Sequence, residues 1–125
     1  LPNLPNPTCP VSGVHSIPFT DNSYDVVVCI EAIEHLKEPD RFLSECRRVL
    51  RKGGVFICAT PNKNVSSPLF KKVINPEHVK EFYPKEFYGL LAGYFVNIDA
   101  YGLDELDLRN KVKLQAISII AHVLW

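Results

Sequence analysis

Val26, Val27 and Val28 follow one another with no polar residue between them, and Cys29 and Ile30 extend the run. A strand with one wet face alternates. A β-branched run of this kind belongs where a sheet is covered on both faces, as in a parallel sheet flanked by helices. The residues that follow agree with that reading. Glu38-Pro39-Asp40 opens a helix, with Pro39 suited to the first turn and the acids to its positive end. Phe42, Leu43, Cys46, Val49 and Leu50 recur at helical spacing and mark a buried stripe. Arg47, Arg48, Arg51 and Lys52 crowd the expected last turn as a solvated basic end favoured by the helix dipole, and Gly53-Gly54 supplies a stop that tolerates positive φ. A second apolar strand, Val55 to Thr60, follows at once and is broken by Pro61-Asn62. Strand, helix and strand with short connections form a βαβ unit, and the fold class is α/β.

The flanking segments are less regular. Pro2, Pro5, Pro7 and Pro10 deny backbone donors to a helix or a sheet interior, so residues 1–13 read as an extended arm ahead of a domain over 14–125. Thr20 to Ser23 is a polar turn cluster before the first strand, Tyr24 to Ile30. Lys63 to Pro68 reads as a loop and Leu69 to Ile74 as a helical turn. Pro84 starts a helix with Phe87, Leu90 and Leu91 on its apolar side. Strands are expected from Phe95 to Gly102 and from Ala116 to Leu124, joined by a charged connection from Asp104 to Lys113.

Composition removes several function classes. With 125 residues the chain holds one domain, and 46% hydrophobic against 22% charged residues is the balance of a globular protein rather than a disordered one. Lys plus Arg and Asp plus Glu number 14 each, so no net field gathers nucleic acid or anionic lipid. No apolar run reaches the roughly 20 residues of a membrane span, and Leu1-Pro2-Asn3 lacks the basic start of a signal peptide. Cys9, Cys29, Cys46 and Cys58 contain no C-x-x-C pair, which leaves buried free thiols and a cytoplasmic location as the expectation. The sequence has no methionine, so the expectation is a processed chain or a piece of a longer one.

A series of short segments, in order, resembles one family. Ile17-Pro18-Phe19, Asp21 to Cys29, Glu34-His35-Leu36, Arg48 to Gly54 and Thr60-Pro61-Asn62 are similar to class I S-adenosylmethionine-dependent methyltransferases, most of all to the branch with the ubiquinone-biosynthesis enzymes. Asn75 to Tyr83, with Phe87, Leu90, Leu91 and Phe95, continues the likeness, which spans roughly Val14 to Gly102. The resemblance implies a partial Rossmann-like sheet, the family's strands 4 to 7 with flanking helices, and a ligand at the carboxyl ends of the strands. It implies S-adenosylmethionine as cofactor and a small-molecule acceptor, a hydroxyl or a carbon. His15, Ser16, Ile17 and Cys29 would lie on the cofactor side, and Glu34 and His35 on the acceptor side, with Phe82 and Tyr83 as further acceptor contacts. The family's glycine-rich turn and the acid that ends its second strand have no counterpart here, and the acid expected before Ile17 falls on Gly13. The expectation is therefore a truncated domain, weak or inactive alone.

The string Glu31-Ala32-Ile33-Glu34-His35 invites a second reading. If it formed one helical turn, Glu31, Glu34 and His35 would share a face and could hold Mg²⁺ or another divalent ion. The same string resembles the metal site of ubiquinone-type O-methyltransferases and of small-RNA 2′-O-methyltransferases, and His78 is the candidate for a further ligand. The alternatives are that Glu31 and Glu34 are surface acids before a helix, and that His78 is a loop histidine. His122 reads as a core histidine.

Two functions of different class remain open. One is methyl transfer to a small molecule, with neither membrane nor nucleic acid as partner. The other is a non-catalytic methyltransferase-like module that pairs with itself or with a complete enzyme. The bare apolar strand Val26 to Cys29 motivates the second, since an uncovered edge of this kind favours association as a homo-oligomer or with a missing N-terminal half.

Overall fold

The computed structural model describes residues 13–66, 73, 75–105 and 113–122, with side chains described as far as residue 101. The proline arm before residue 13, Cys9, most of the expected turn at 69–74 and most of the connection at 104–113 lie outside these residues. So does the side chain of His122.

Strand β1 (Tyr24–Ile30) leads through a 3₁₀ turn (Ile33–His35) into helix α1 (Pro39–Val49), which returns to strand β2 (Leu50–Pro61). A short helix α2 (Lys63–Ser66), a helix α3 (Pro84–Ala92) and strands β3 (Val96–Glu105) and β4 (Lys113–His122) follow. The sheet order is β1-β2-β4-β3. β1 and β2 are parallel, with Val27 opposite Phe56 and Cys29 opposite Cys58, while β4 runs antiparallel to both β2 and β3. The βαβ unit read from the sequence is thus present, extended by an antiparallel pair.

One face of the sheet carries the core. Cys29, Phe56 and Cys58 meet Phe42, Leu43 and Cys46 of α1 together with Phe87 and Leu91 of α3 in a single buried cluster. Phe56 and Phe95 stack with ring centroids 4.7 Å apart, and Phe82 tilts against Phe87 at 5.4 Å. Cys29, Cys46 and Cys58 are buried free thiols, as the wide cysteine spacing suggested. Tyr83 and Tyr88 remain exposed, so that aromatic segment divides between core and surface.

The other face is open on β1. Val26, Val28 and Ile30 are 48%, 56% and 61% exposed, and β1 is the outer strand of the sheet among the described residues. The valine run therefore buries its Val27 and Cys29 side and presents its alternate residues outward.

Three local expectations change. α1 ends at Val49, and strand begins at Leu50, not after Gly53-Gly54. The Asn22 and Ser23 N–H groups donate to the Arg48 and Val49 carbonyls at 2.9 and 2.8 Å, so the helix end finds its partners in the preceding loop and needs no left-handed residue. Gly53 instead takes φ 74° inside β2, where the register with β1 shifts. A Cβ on Gly54 would stand 2.8 Å from the Arg51 carbonyl and 3.2 Å from that of Asp25, so this glycine lets β1 approach.

Arg51 and Lys52 thus lie in the strand, and Arg48 is not a solvated helix end. It donates to Glu45, to Asp21 and to the Ile17 and Phe19 carbonyls at 2.7 to 2.9 Å. The loop expected from Lys63 begins as α2, because Asn62 caps it: its side-chain oxygen accepts from the Asn64 N–H at 3.1 Å and its carbonyl from the Val65 and Ser66 N–H groups.

Candidate functional site

The carboxyl ends of β1 and β2 carry the candidate site. Glu31 leaves β1 in left-handed backbone, φ 50°, while its N–H still donates to the Ala59 carbonyl at 2.9 Å. This sharp exit throws the chain into the Ile33–His35 turn. Ile33 is fully buried and anchors the turn in the core. Because the turn is a 3₁₀ turn that starts after Glu31, the single helical face expected for Glu31, Glu34 and His35 does not form.

Glu34, His35 and His78 do converge, with one potential ligand atom from each inside 4.8 Å of the others. Glu31 falls outside this group. Its carboxyl is nonetheless raised above the usual range, by burial first and by the Glu34 charge second.

Glu34 is completely buried, contrary to a surface acid. Its Oε2 accepts from Thr60 Oγ1 at 2.9 Å, whereas its Oε1 has no hydrogen-bond partner and lies 3.8 Å from His35 Nε2. Its carbonyl accepts from the Val79 and Lys80 N–H groups, which seats the 75–80 loop over the turn. A buried carboxylate oxygen without a partner costs about 1–3 kcal/mol, and a ligand group at that point would recover it.

Both histidines are oriented by acceptors. His35 Nδ1 donates to the Glu77 carbonyl at 2.9 Å, which leaves Nε2 as the basic nitrogen of the neutral ring. His78 Nδ1 donates to Glu81 Oε1 at 2.9 Å, and its Nε2 accepts from Asn75 Nδ2 at 3.0 Å. Glu81 is buried and accepts from Ser66 Oγ at 2.8 Å, so α2 helps to fix the carboxylate that fixes His78. The two imidazole rings meet edge to face, 5.0 Å apart. His78 is thus a tightly partnered residue and not an idle loop histidine.

Of the expected cofactor-side residues, His15, Ser16 and Ile17 follow one another in a turn held against α1. Ser16 N–H donates to the Gly13 carbonyl at 3.0 Å and closes a turn that presents His15. His15 Nε2 lies 4.0 Å from Glu38, and its Nδ1 is buried without a partner. Ile17 is clamped from both sides: its N–H donates to Glu45 Oε2 at 3.0 Å and its carbonyl accepts from Arg48 Nη2 at 2.9 Å. The Arg48 guanidinium, with the Ile17 N–H, holds the Glu45 carboxyl down at about 2. Cys29 stands in β1 within the buried cluster against which Ile17 packs.

Thr60, Glu81, Ser66, Glu45 and Arg48 were not singled out as site residues in the sequence. Asn62 alone had a readable signal, a capping residue directly after a strand-breaking proline.

Residues 3–58 match a methyltransferase domain family. A protein of Mycolicibacterium smegmatis, named a probable S-adenosylmethionine-dependent methyltransferase, is 40% identical over 87% of this chain and 46% of its own length. In sequence and in fold the chain is similar to class I S-adenosylmethionine-dependent methyltransferases. A ubiquinone biosynthesis O-methyltransferase of Paraburkholderia xenovorans is 40% identical over half of this chain and 27% of its own length. A solved complex of the Haloferax volcanii Trm112 methyltransferase activator with a methyltransferase superposes at a TM-score of 0.74 and 18% identity, covering 91% of this chain and 60% of the other; at that identity it supports the fold alone. The chain spans about half the length of the curated relatives that it matches over most of its own sequence. Among its described residues no helix is long and apolar enough to cross a membrane.

Proposed function

We propose that this chain supplies the acceptor side of an S-adenosylmethionine-dependent methyl transfer to a small molecule, at a hydroxyl or an acidic carbon. The observation that carries the reading is the unpartnered Glu34 Oε1 beside His35 Nε2, buried at the strand ends where ligands of such sheets bind. The cofactor supplies an electrophilic sulfonium methyl. The protein's part is to hold the acceptor in line with it, exclude water and take the acceptor's proton. Glu34 Oε1 and His35 Nε2 are placed to receive that proton, and the Glu77 carbonyl stabilises the His35 imidazolium that results. The His15 turn supports a cofactor contact through its unpartnered Nδ1, with Ser16 and Ile17 presented beside it. The reading keeps 14–125 as one unit, preceded by the proline-rich arm.

The donor set also bears on a metal. Two imidazoles and one carboxylate suit a first-row transition ion better than Mg²⁺, which prefers oxygen ligands, and Glu31 does not add the second carboxylate. Glu34, His35 and His78 would hold such an ion, and it would lower the pKa of an acceptor hydroxyl. His35 and His78 already donate their Nδ1 protons to a carbonyl and a carboxylate, the arrangement that supports ligation through Nε2, and at His78 an ion would displace the Asn75 amide that Nε2 now accepts from.

Calorimetric titration with S-adenosylhomocysteine, with and without Mn²⁺ or Zn²⁺, tests the proposal. Micromolar binding that the Glu34→Ala/His35→Ala double variant leaves intact, together with loss of methyl transfer in that variant, supports an acceptor-side role. No binding at millimolar ligand overturns the cofactor reading.

One observation favours the competing reading of an association module: the exposed Val26, Val28 and Ile30 on β1. Among its structural neighbours is a methyltransferase captured with an activator protein. Light scattering that shows a monomer would remove self-association.

A further inference from the structure

We propose that Cys29 and Cys58 form a reversible disulfide that acts on the candidate site from beneath. The two residues are direct partners in the parallel register of β1 and β2, so their side chains leave the same face of the sheet. Both are free thiols within the core. Paired strands lie about 4.8 Å apart, inside the roughly 4.4–6.8 Å that a disulfide spans between Cα atoms. The backbone therefore already holds the two residues at bonding separation.

Their surroundings make the two sulfurs unequal. The neighbouring Cys58 thiol lowers the Cys29 thiol against the opposing effects of burial and the Glu34 charge, whereas the Cys29 partner and burial raise that of Cys58, so Cys29 is the sulfur that reacts first. Cys58, its direct partner across the strands, is the residue in reach to close the bond. The oxidant is a peroxide. The Cys29 sulfur attacks one peroxide oxygen, the O–O bond breaks, and water leaves as the sulfenic acid forms. The Cys58 thiol then attacks that sulfur, the S–O bond breaks, and the S–S bond forms with release of a second water. Two thiols and one hydrogen peroxide become one disulfide and two waters.

Oxidation reaches the site through two contacts. It moves the Cys29 sulfur within the buried cluster that also holds Ile33, the first residue of the turn that carries Glu34 and His35. It also tethers β2 two residues before Thr60, whose hydroxyl holds Glu34. The chemistry does not depend on methyl transfer.

The test is peptide mapping of the peroxide-treated protein by mass spectrometry without reduction. The expected result is a linked Cys29–Cys58 peptide that a thiol reductant separates. In Cys58→Ser the same treatment should leave a Cys29 sulfenic acid that dimedone traps. If that variant does not fold, the wild-type map decides alone. Cysteines that all remain open to alkylation after peroxide, or linkage of Cys29 to Cys9 or Cys46, would overturn the pairing. The His35 imidazole resonances should shift on oxidation and return on reduction; unmoved resonances beside a confirmed disulfide would overturn the coupling to the site.

Discussion

Thr60 Oγ1 donates to Glu34 Oε2 at 2.9 Å and so joins the end of β2 to the turn that leaves β1. The bond fixes one carboxylate oxygen and leaves Oε1 directed toward His35. Thr60→Val keeps the shape of the side chain and removes the donor. The buried carboxylate then has neither oxygen paired, and the loss of stability is expected to be about 1–3 kcal/mol. Denaturant unfolding measures it, and a midpoint equal to wild type would show that Glu34 is held by something else.

Glu81 acts on the site through His78 and is a positioning residue. Glu81→Gln keeps the size of the group but loses the charge that supports the His78 Nδ1 proton. If the three residues hold a transition ion, this variant should weaken it about 10–100-fold, as substitutions behind a ligand do. Competition against a metal indicator reads the affinity. Affinity within a factor of two of wild type would exclude the role.

Glu45 gives the chain an acid-sensitive clamp. Its carboxyl sits at about 2 because the Arg48 guanidinium and the Ile17 N–H hydrogen-bond to the charged form. A depressed carboxyl contributes stability that is present above the unfolded value, about 4.3, and is lost as pH falls through the folded one. Wild-type protein should therefore lose stability between about pH 4.5 and 2, and Glu45→Gln should lose less over that window while being weaker at neutral pH. Melting temperatures across the range check this; parallel curves for the two proteins would refute it.

Gly54 sits in a tight bulge of β2, where a Cβ would crowd the Arg51 carbonyl of the same strand and the Asp25 carbonyl of β1. Gly54→Ala puts a methyl group 2.8 Å from the Arg51 carbonyl, a contact that the backbone must move to relieve. Destabilisation above about 1 kcal/mol is expected. Gly53→Ala, with open space around it but φ 74°, should also destabilise, through backbone strain alone. Thermal unfolding of both variants compares the two causes, and a neutral Gly54→Ala would remove the close-approach argument.

Phe56 enters the core from β2, stacked on Phe95 and fully buried. Phe56→Ala should cost about 3–5 kcal/mol, the range for removing a buried aromatic ring. A smaller loss in urea unfolding would mean that the core closes over the gap.

The sequence by itself determined β1, α1 and α3. The valine run, the stripe from Phe42 to Leu50 and the prolines at 39 and 84 act within a few residues of one another, and strand and helix geometry respond to that range. It also carried the likeness to the methyltransferases, because the motif segments sit at readable spacings. Tertiary structure decided the rest. Arg48 reads as one of four basic residues near a helix end, and only folding brings Ile17, Phe19 and Asp21 to it. Gly53-Gly54 reads as a helix stop, yet Asn22 and Ser23 had already satisfied the helix end. Glu31, Glu34 and His35 looked like one ligand face, but the positive φ of Glu31 took it out and folding brought His78 in. Glu34 acquires Thr60 and His35 acquires Glu77 across 26 and 42 residues of sequence. Hydrogen bonds of that kind depend on the distance between side chains after packing, and no local pattern of residues encodes it.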